Sequence, residues 1–87
     1  MLAARGRVRG EVDYVRLRSG LGLADLALEC VDATGERVRV RVAARGSLAR
    51  TLAATLGDGD ELVVHGWLRE GDDELPVLDA EWFAVSR

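Results

Sequence analysis

Residues 37–42 read Arg-Val-Arg-Val-Arg-Val. A strand turns successive side chains to opposite sides, so strict alternation of a cation with a β-branched residue specifies a strand with one dry face and one wet face. Val38, Val40 and Val42 are therefore expected in a core, and Arg37, Arg39 and Arg41 in solvent. A longer alternating stretch runs from Ala4 to Leu17. Gly6, Val8, Gly10, Val12 and Tyr14 fall on one face, and Arg5, Arg7, Arg9, Glu11 and Asp13 on the other. Its phase shifts after Tyr14, where Val15 and Leu17 are apolar, and a bulge near that point would account for the shift. Between these two stretches, Leu23 to Val31 turns Leu26, Leu28 and Cys30 one way and Asp25, Ala27 and Glu29 the other. Ser19-Gly20-Leu21-Gly22 and Asp32-Ala33-Thr34-Gly35 supply the turns.

The pattern then changes period. Leu48, Leu52 and Leu56 recur at helical spacing with Ala49 and Ala53 beside them, which specifies a short helix with one apolar stripe. Ser47 is the expected N-cap and Gly57 the expected C′ residue. Alternation returns at Glu61 to Arg69, with Leu62, Val64, Gly66 and Leu68 inside and Val63, His65 and Trp67 outside. Glu70 to Glu74 reads as an acidic hairpin loop. A last strand spans about Leu75 to Val85. There Leu78, Ala80 and Trp82 share one phase while Val77, Phe83 and Val85 contradict it, so its register stays open and Trp82 or Phe83 is expected in the core. The order of three strands, one helix and two strands in 87 residues points to an all-β fold. It fits a five-stranded OB-fold Greek-key barrel, in which closure removes exposed edges and the helix plugs one end.

Length allows one domain, residues 1–87. An apolar fraction of 48% and a charged fraction of 31% exclude a disordered chain. No apolar run approaches a membrane span, no signal peptide is visible, and the single cysteine excludes a disulfide framework, so a cytoplasmic setting is expected. His65 and Cys30 lack partners at metal-ligand spacing, and Gly57-Asp58-Gly59-Asp60 reads as a cap and turn, so no metal site is expected. With no nucleophile beside a base, no phosphate loop and no dinucleotide glycine pattern, neither a cofactor nor enzymatic activity is expected. The net charge of −3 hides an asymmetry. Residues 1–50 hold ten Arg against six acids (+4), and residues 51–87 two Arg against nine acids (−7). That distribution suits either a polyanion contact on the first half or pairing of the two halves on folding.

Several segments carry a family likeness. Arg45-Gly46-Ser47-Leu48-Ala49-Arg50, Leu52, and Gly59-Asp60-Glu61-Leu62-Val63-Val64-His65-Gly66-Trp67-Leu68-Arg69 resemble the helix and fourth strand of bacterial single-stranded-DNA-binding proteins. Gly6-Arg7-Val8-Arg9-Gly10 is similar to their first strand, and Leu78-Asp79-Ala80-Glu81 to their closing one. The small primosomal replication proteins of the same superfamily are similar in length. The resemblance implies an OB-fold barrel that binds single-stranded nucleic acid, as a homodimer or homotetramer, in replication or repair. The sequence departs from the family in two ways. No aromatic residue falls in the second or third strand, and no acidic tail like the family's is expected after Ser86-Arg87.

The expected contact surface is the outer face of the first three strands. Arg5, Arg7, Arg9, Arg16, Arg18, Arg37, Arg39 and Arg41 would meet phosphates, since guanidinium offers bidentate donors and keeps its charge. Tyr14 and Trp67 would stack bases. Against this, Asp25 and Glu29 lie between the two arginine rows and could neutralise them across strands. Trp67 could instead be buried in a subunit contact, the favoured of its two roles. The alternative function is accordingly an OB-fold protein-interaction or accessory subunit that has lost nucleic-acid binding.

Overall fold

The alternating stretches form strands β1 (Leu2–Arg16), β2 (Gly22–Val31), β3 (Arg37–Arg45), β4 (Glu61–Glu70) and β5 (Pro76–Ser86), with helix α1 (Ser47–Thr55) between β3 and β4. The computed structural model describes residues 1–71 and 75–86. Three residues of the expected acidic loop, Asp72, Asp73 and Glu74, lie outside them. The strands close a barrel in the order β1-β2-β3-β5-β4. Every neighbouring pair is antiparallel except β3–β5, which pairs in parallel through Arg41–Val77, Val42–Leu78 and Ala43–Asp79. This is the expected five-stranded OB barrel. Among the described residues, no helix is long and apolar enough to cross a membrane.

β1 belongs to two ladders. Leu2 to Arg7 pairs with β4, while Gly6 to Arg16 pairs with β2. A strand that serves two neighbours around a small barrel must bend, and the bend falls between Arg9 and Asp13, where the ladder with β2 is irregular and Gly10 has φ 86°. The irregularity thus precedes Tyr14 rather than following it. The Val8 N–H donates to the Asp60 carbonyl at 2.8 Å, the Gly59 N–H donates to the Val8 carbonyl at 2.8 Å, and the Gly10 N–H donates to Asp58 Oδ1 at 2.7 Å. The turn before β4 therefore holds the bend in place.

The core consists of the dry faces of the strands. Val8, Leu26, Leu28, Val42, Leu62, Val64 and Leu78 are buried, with Cys30, Val40, Phe83 and Val85 packed at its margin. Helix α1 covers one end of the barrel, inserting Ala49, Leu52 and Leu56. Nine residues are too few for a stable isolated helix, so this docking is what maintains it. Its N-cap is Gly46, one residue before the expected Ser47, and no side chain caps it. Ser47 is instead the first helical residue, and its carbonyl accepts the Thr51 hydroxyl at 3.0 Å. Gly57 follows the C-cap Leu56 as expected.

Two side chains assigned inward by alternation are exposed. Val38 is 39% accessible and Leu68 is 55% accessible. Both keep the phase of their strands, but both lie where the barrel wall has ended. The β3–β5 ladder starts only at Arg41, and β4 loses its β1 partner after Gly66. Beyond those points each strand is a local edge: Val38 keeps only its β2 partner Cys30, and Leu68 only its β5 partner Leu78. Of the two rings of which one was expected in the core, Phe83 packs against it and Trp82 turns outward. His65 pairs with Trp82 and Gly66 pairs with Ala80, so Glu81 is an extra residue in β5. This bulge exchanges the faces of everything after it. Leu78 and Ala80 point inward before it, Phe83 and Val85 after it, and Trp82 is 47% exposed. The contradictory phase of the last strand has this one cause.

Gly66 sits against the bulge, and a Cβ there would overlap the Asp79 carbonyl. Gly66→Ala should cost about 1–3 kcal/mol as an overpacking defect, read from the urea midpoint. Gly57→Ala, where a Cβ meets nothing within 4 Å, should leave the midpoint nearly unchanged.

Candidate nucleic-acid interface

The outer face of β1, β2 and β3 carries the arginines that alternation put there, and the structure divides them. Arg9 Nη2 donates to Glu29 Oε1 at 3.0 Å, and Arg37 Nη1 stands 3.9 Å from the same oxygen. Arg41 donates to Asp25 Oδ2. Glu29 lies directly opposite Arg39, yet its pairs run diagonally to Arg9 and Arg37. Arg5 and Arg7 turn the other way, toward β4 and β5. Arg5 donates to Ser86 Oγ at 3.2 Å with Glu61 at 4.0 Å, and Arg7 donates to the Gly59 carbonyl at 3.0 Å. Arg16, Arg18, Arg39, Arg45 and Arg50 make no hydrogen bond or ion pair among the described residues. The neutralising ladder and the free cations therefore coexist on one sheet.

A groove of about 940 Å³ runs between the far half of this sheet and the projecting β4–β5 hairpin. Val15 and Leu23 face each other across β1 and β2 on its floor, with Arg45 opposite Leu23 on β3. Trp67, 54% exposed, stands on the β4 side. Arg69 Nε donates to Asp79 Oδ2 at 2.7 Å on that same wall. A groove that combines an exposed aromatic ring, apolar side chains and cations suits a planar heterocycle attached to a phosphate.

The expected residues are distributed as follows. Trp67 is in the groove, and Arg41 reaches it by holding Asp25. Tyr14 is not in the groove. It lies opposite the buried Ala24 with its ring over Gly22, on the face away from Val15. Arg16 and Arg18 belong to the β1–β2 end of the sheet, and Arg5 and Arg7 to the β4 side. Arg45 is a groove residue that the expected set omits, although the outer phase of Arg37, Arg39 and Arg41 continues to it. Trp82 is also absent from that set. Its ring stacks on His65 with centroids 4.3 Å apart and planes 14° apart, on the outside of the β1–β4–β5 wall. The bulge concealed its phase.

The likeness to known structures now has a place. The second single-stranded-DNA-binding protein (SSBb) of Mycobacterium smegmatis superimposes with a TM-score of 0.85 at 23% identity, covering 97% of this chain and 85% of that one. The small single-stranded DNA-binding protein of Streptomyces coelicolor gives 0.75 at 25% identity, covering 98% and 90%. The chain has the SSB-like OB fold. A deletion mutant of the Thermus aquaticus single-stranded DNA-binding protein gives 0.71 at 20% identity, and this chain spans about half of it, 49%. No family model matches the chain, and no curated protein matches it in sequence. The likeness therefore rests on the SSB-like barrel as a shape shared along the whole chain.

Glu29 is the electrostatic centre of the outer sheet. The Arg9 hydrogen bond holds its carboxyl below the ordinary value of 4.5, against partial desolvation, and the charges of Arg9, Arg37 and Arg39 add to the effect. A carboxyl depressed on folding contributes stability above its unfolded pKa and loses it as pH falls through the folded value. An NMR titration should place the Glu29 midpoint below 4.5, and Arg9→Ala should move it upward.

Proposed function

We propose that this barrel binds single-stranded nucleic acid, DNA foremost, as a non-enzymatic cytoplasmic protein of replication or repair. The observation that carries the reading is one groove that brings together the exposed Trp67, the apolar Val15 and Leu23, and Arg45. The whole-chain likeness to structures described as single-stranded DNA-binding proteins supports it, and favours it over a protein-interaction barrel that has lost nucleic acid. Bases stack on Trp67 and over the groove floor. Phosphates run along the rim and meet the guanidiniums of Arg45, Arg39, Arg16 and Arg18. Arg37 and Arg41 give weaker contacts while Glu29 and Asp25 hold them. Arg5, Arg7 and Arg9 are tied to the protein's own acceptors and contribute least. Tyr14 extends the stacking surface at the β1–β2 end, where it is 38% exposed.

The reading includes a homo-oligomer, a dimer or tetramer. Its support is the outer β1–β4–β5 wall, where Ala3, His65 and Trp82 align across three strands in one row with the His65 and Trp82 rings stacked. Arg5, Val63 and Ala84 form the next row. A two-fold contact needs a self-complementary patch, and this wall offers an apolar centre with Arg5 and Glu61 of opposite sign beside it. Trp67 then serves the groove and Trp82 the subunit contact.

Fluorescence anisotropy with a labelled oligonucleotide tests the binding. Affinity should fall with salt at a log–log slope of about −0.7 for each phosphate engaged. Trp67→Ala should weaken binding by about 5- to 150-fold, the value of one base–aromatic stack. A folded protein with no affinity at low salt would refute the reading. Trp82→Arg should lower the mass seen by light scattering while each barrel keeps its oligonucleotide affinity.

A further inference from the structure

The register of the outer sheet surrounds one carboxylate with arginines from two strands. Glu29 on β2 lies directly opposite Arg7 on β1 and Arg39 on β3. Arg9 and Arg37 are the next outward residues of those strands, on opposite diagonals across Glu29. Both approach one atom of it: Arg9 Nη2 is 3.0 Å and Arg37 Nη1 3.9 Å from Glu29 Oε1. Guanidiniums from two strands that converge on one anionic oxygen make the contact that a phosphate oxygen makes with paired arginines. The Glu29 side chain is only 15% accessible, against 43% for Arg9 and 75% for Arg37. The arginines are thus the more accessible partners, and an anion arriving from solvent meets them first.

A phosphate at this place must replace Glu29 as the acceptor of Arg9 and Arg37, and the carboxylate repels it while it does so. Glu29 does not give way by protonation at neutral pH. The Arg9 hydrogen bond and the surrounding arginine charges hold its carboxyl below the ordinary value. β2 is paired on both sides at Glu29, so its backbone is fixed there. We propose that Arg9 and Arg37 form a phosphate-binding pair across β2 and that Glu29 is its built-in competitor, an autoinhibitory contact that limits the affinity for a nucleic-acid backbone. The inference rests on the nucleic-acid reading above and adds to it a residue that sets how tightly the backbone is held. A carboxylate that instead organised the arginines for their ligand would have the opposite effect, so the sign of its removal separates the two roles.

Glu29→Gln keeps the shape of the side chain and an acceptor oxygen and removes only the charge. At neutral pH, anisotropy with labelled oligo(dT) should show this variant binding about two- to tenfold more tightly than the unaltered protein, the value of one or two exposed ion pairs released. Its log–log salt slope should be steeper by about 0.7 for each phosphate gained. A double-mutant cycle separates the paired site from a general change of charge. Arg9→Ala should cost less than about twofold in the unaltered protein and about two- to tenfold in Glu29→Gln. Glu29→Thr, a good strand former, should repeat the gain, and circular dichroism checks that both variants are folded. Equal or weaker binding by folded Glu29 variants, an unchanged salt slope, or the same Arg9→Ala cost with and without Glu29 would overturn the competitor and leave the binding reading standing. Loss of the fold in both Glu29 variants would make the carboxylate a structural brace and overturn it too. No affinity for oligo(dT) in any of these proteins would remove both readings.

Discussion

Closure by the β3–β5 ladder is the constraint on which the rest of the molecule depends. Among the described residues three pairs make it, and it is the one parallel pairing there. Without it β3 and β5 would be open edges, with unpaired backbone groups and a core uncovered on one side. The same three pairs build the groove. Ala43 on β3 and Asp79 on β5 are ladder partners, and both line it. Whatever opened the barrel would also separate the apolar floor from the wall that carries Trp67. The close approach of Gly66 to Asp79, which permits the β5 bulge, is part of the same junction.

The outer face of the sheet shows how a chain with an acidic net charge keeps cations available. Glu29 is shared between Arg9 and Arg37 with the charge of Arg39 opposite it, and Asp25 holds Arg41, while Arg45 on the same strand makes no ion pair among the described residues. Exposed ion pairs contribute little to stability, about 0–1 kcal/mol each. Their effect here is to select which arginines can meet a ligand. The paired arginines must exchange one partner for another when a phosphate arrives, and the unpaired ones need not.

Alternation was legible wherever one face of a strand meets the core. The three valines of β3 show both the rule and its limit. Val42 is buried, Val40 is at the margin and Val38 is exposed, because periodicity states which side a residue faces and not how far the barrel extends above it. Leu68 shows the same limit in β4. Trp67 was correctly turned outward by alternation, whereas the side taken by Trp82 stayed open, since the single extra residue Glu81 reverses the phase of β5 after Ala80 and leaves no mark in composition. Arg45 could have been found by extending the phase of β3 through Ala43. The helix was placed by its leucine spacing, and its cap missed by one residue because Gly46 occupies the position without a side-chain hydrogen bond.

The sequence by itself determined the strands, the turns, the position of the helix and the outward side of each arginine, because these follow from backbone geometry over a few neighbouring residues. It pointed to a closed barrel, since five half-dry strands in so short a chain leave few other ways to remove their edges. Tertiary structure alone decided which strands meet, which arginines are neutralised, and that Asp13, Arg45, Trp67 and Glu81 line a single groove. Those outcomes depend on register between strands far apart in the chain. A bulge of one residue is enough to change register, and no local pattern encodes the diagonal distance at which two charges find each other.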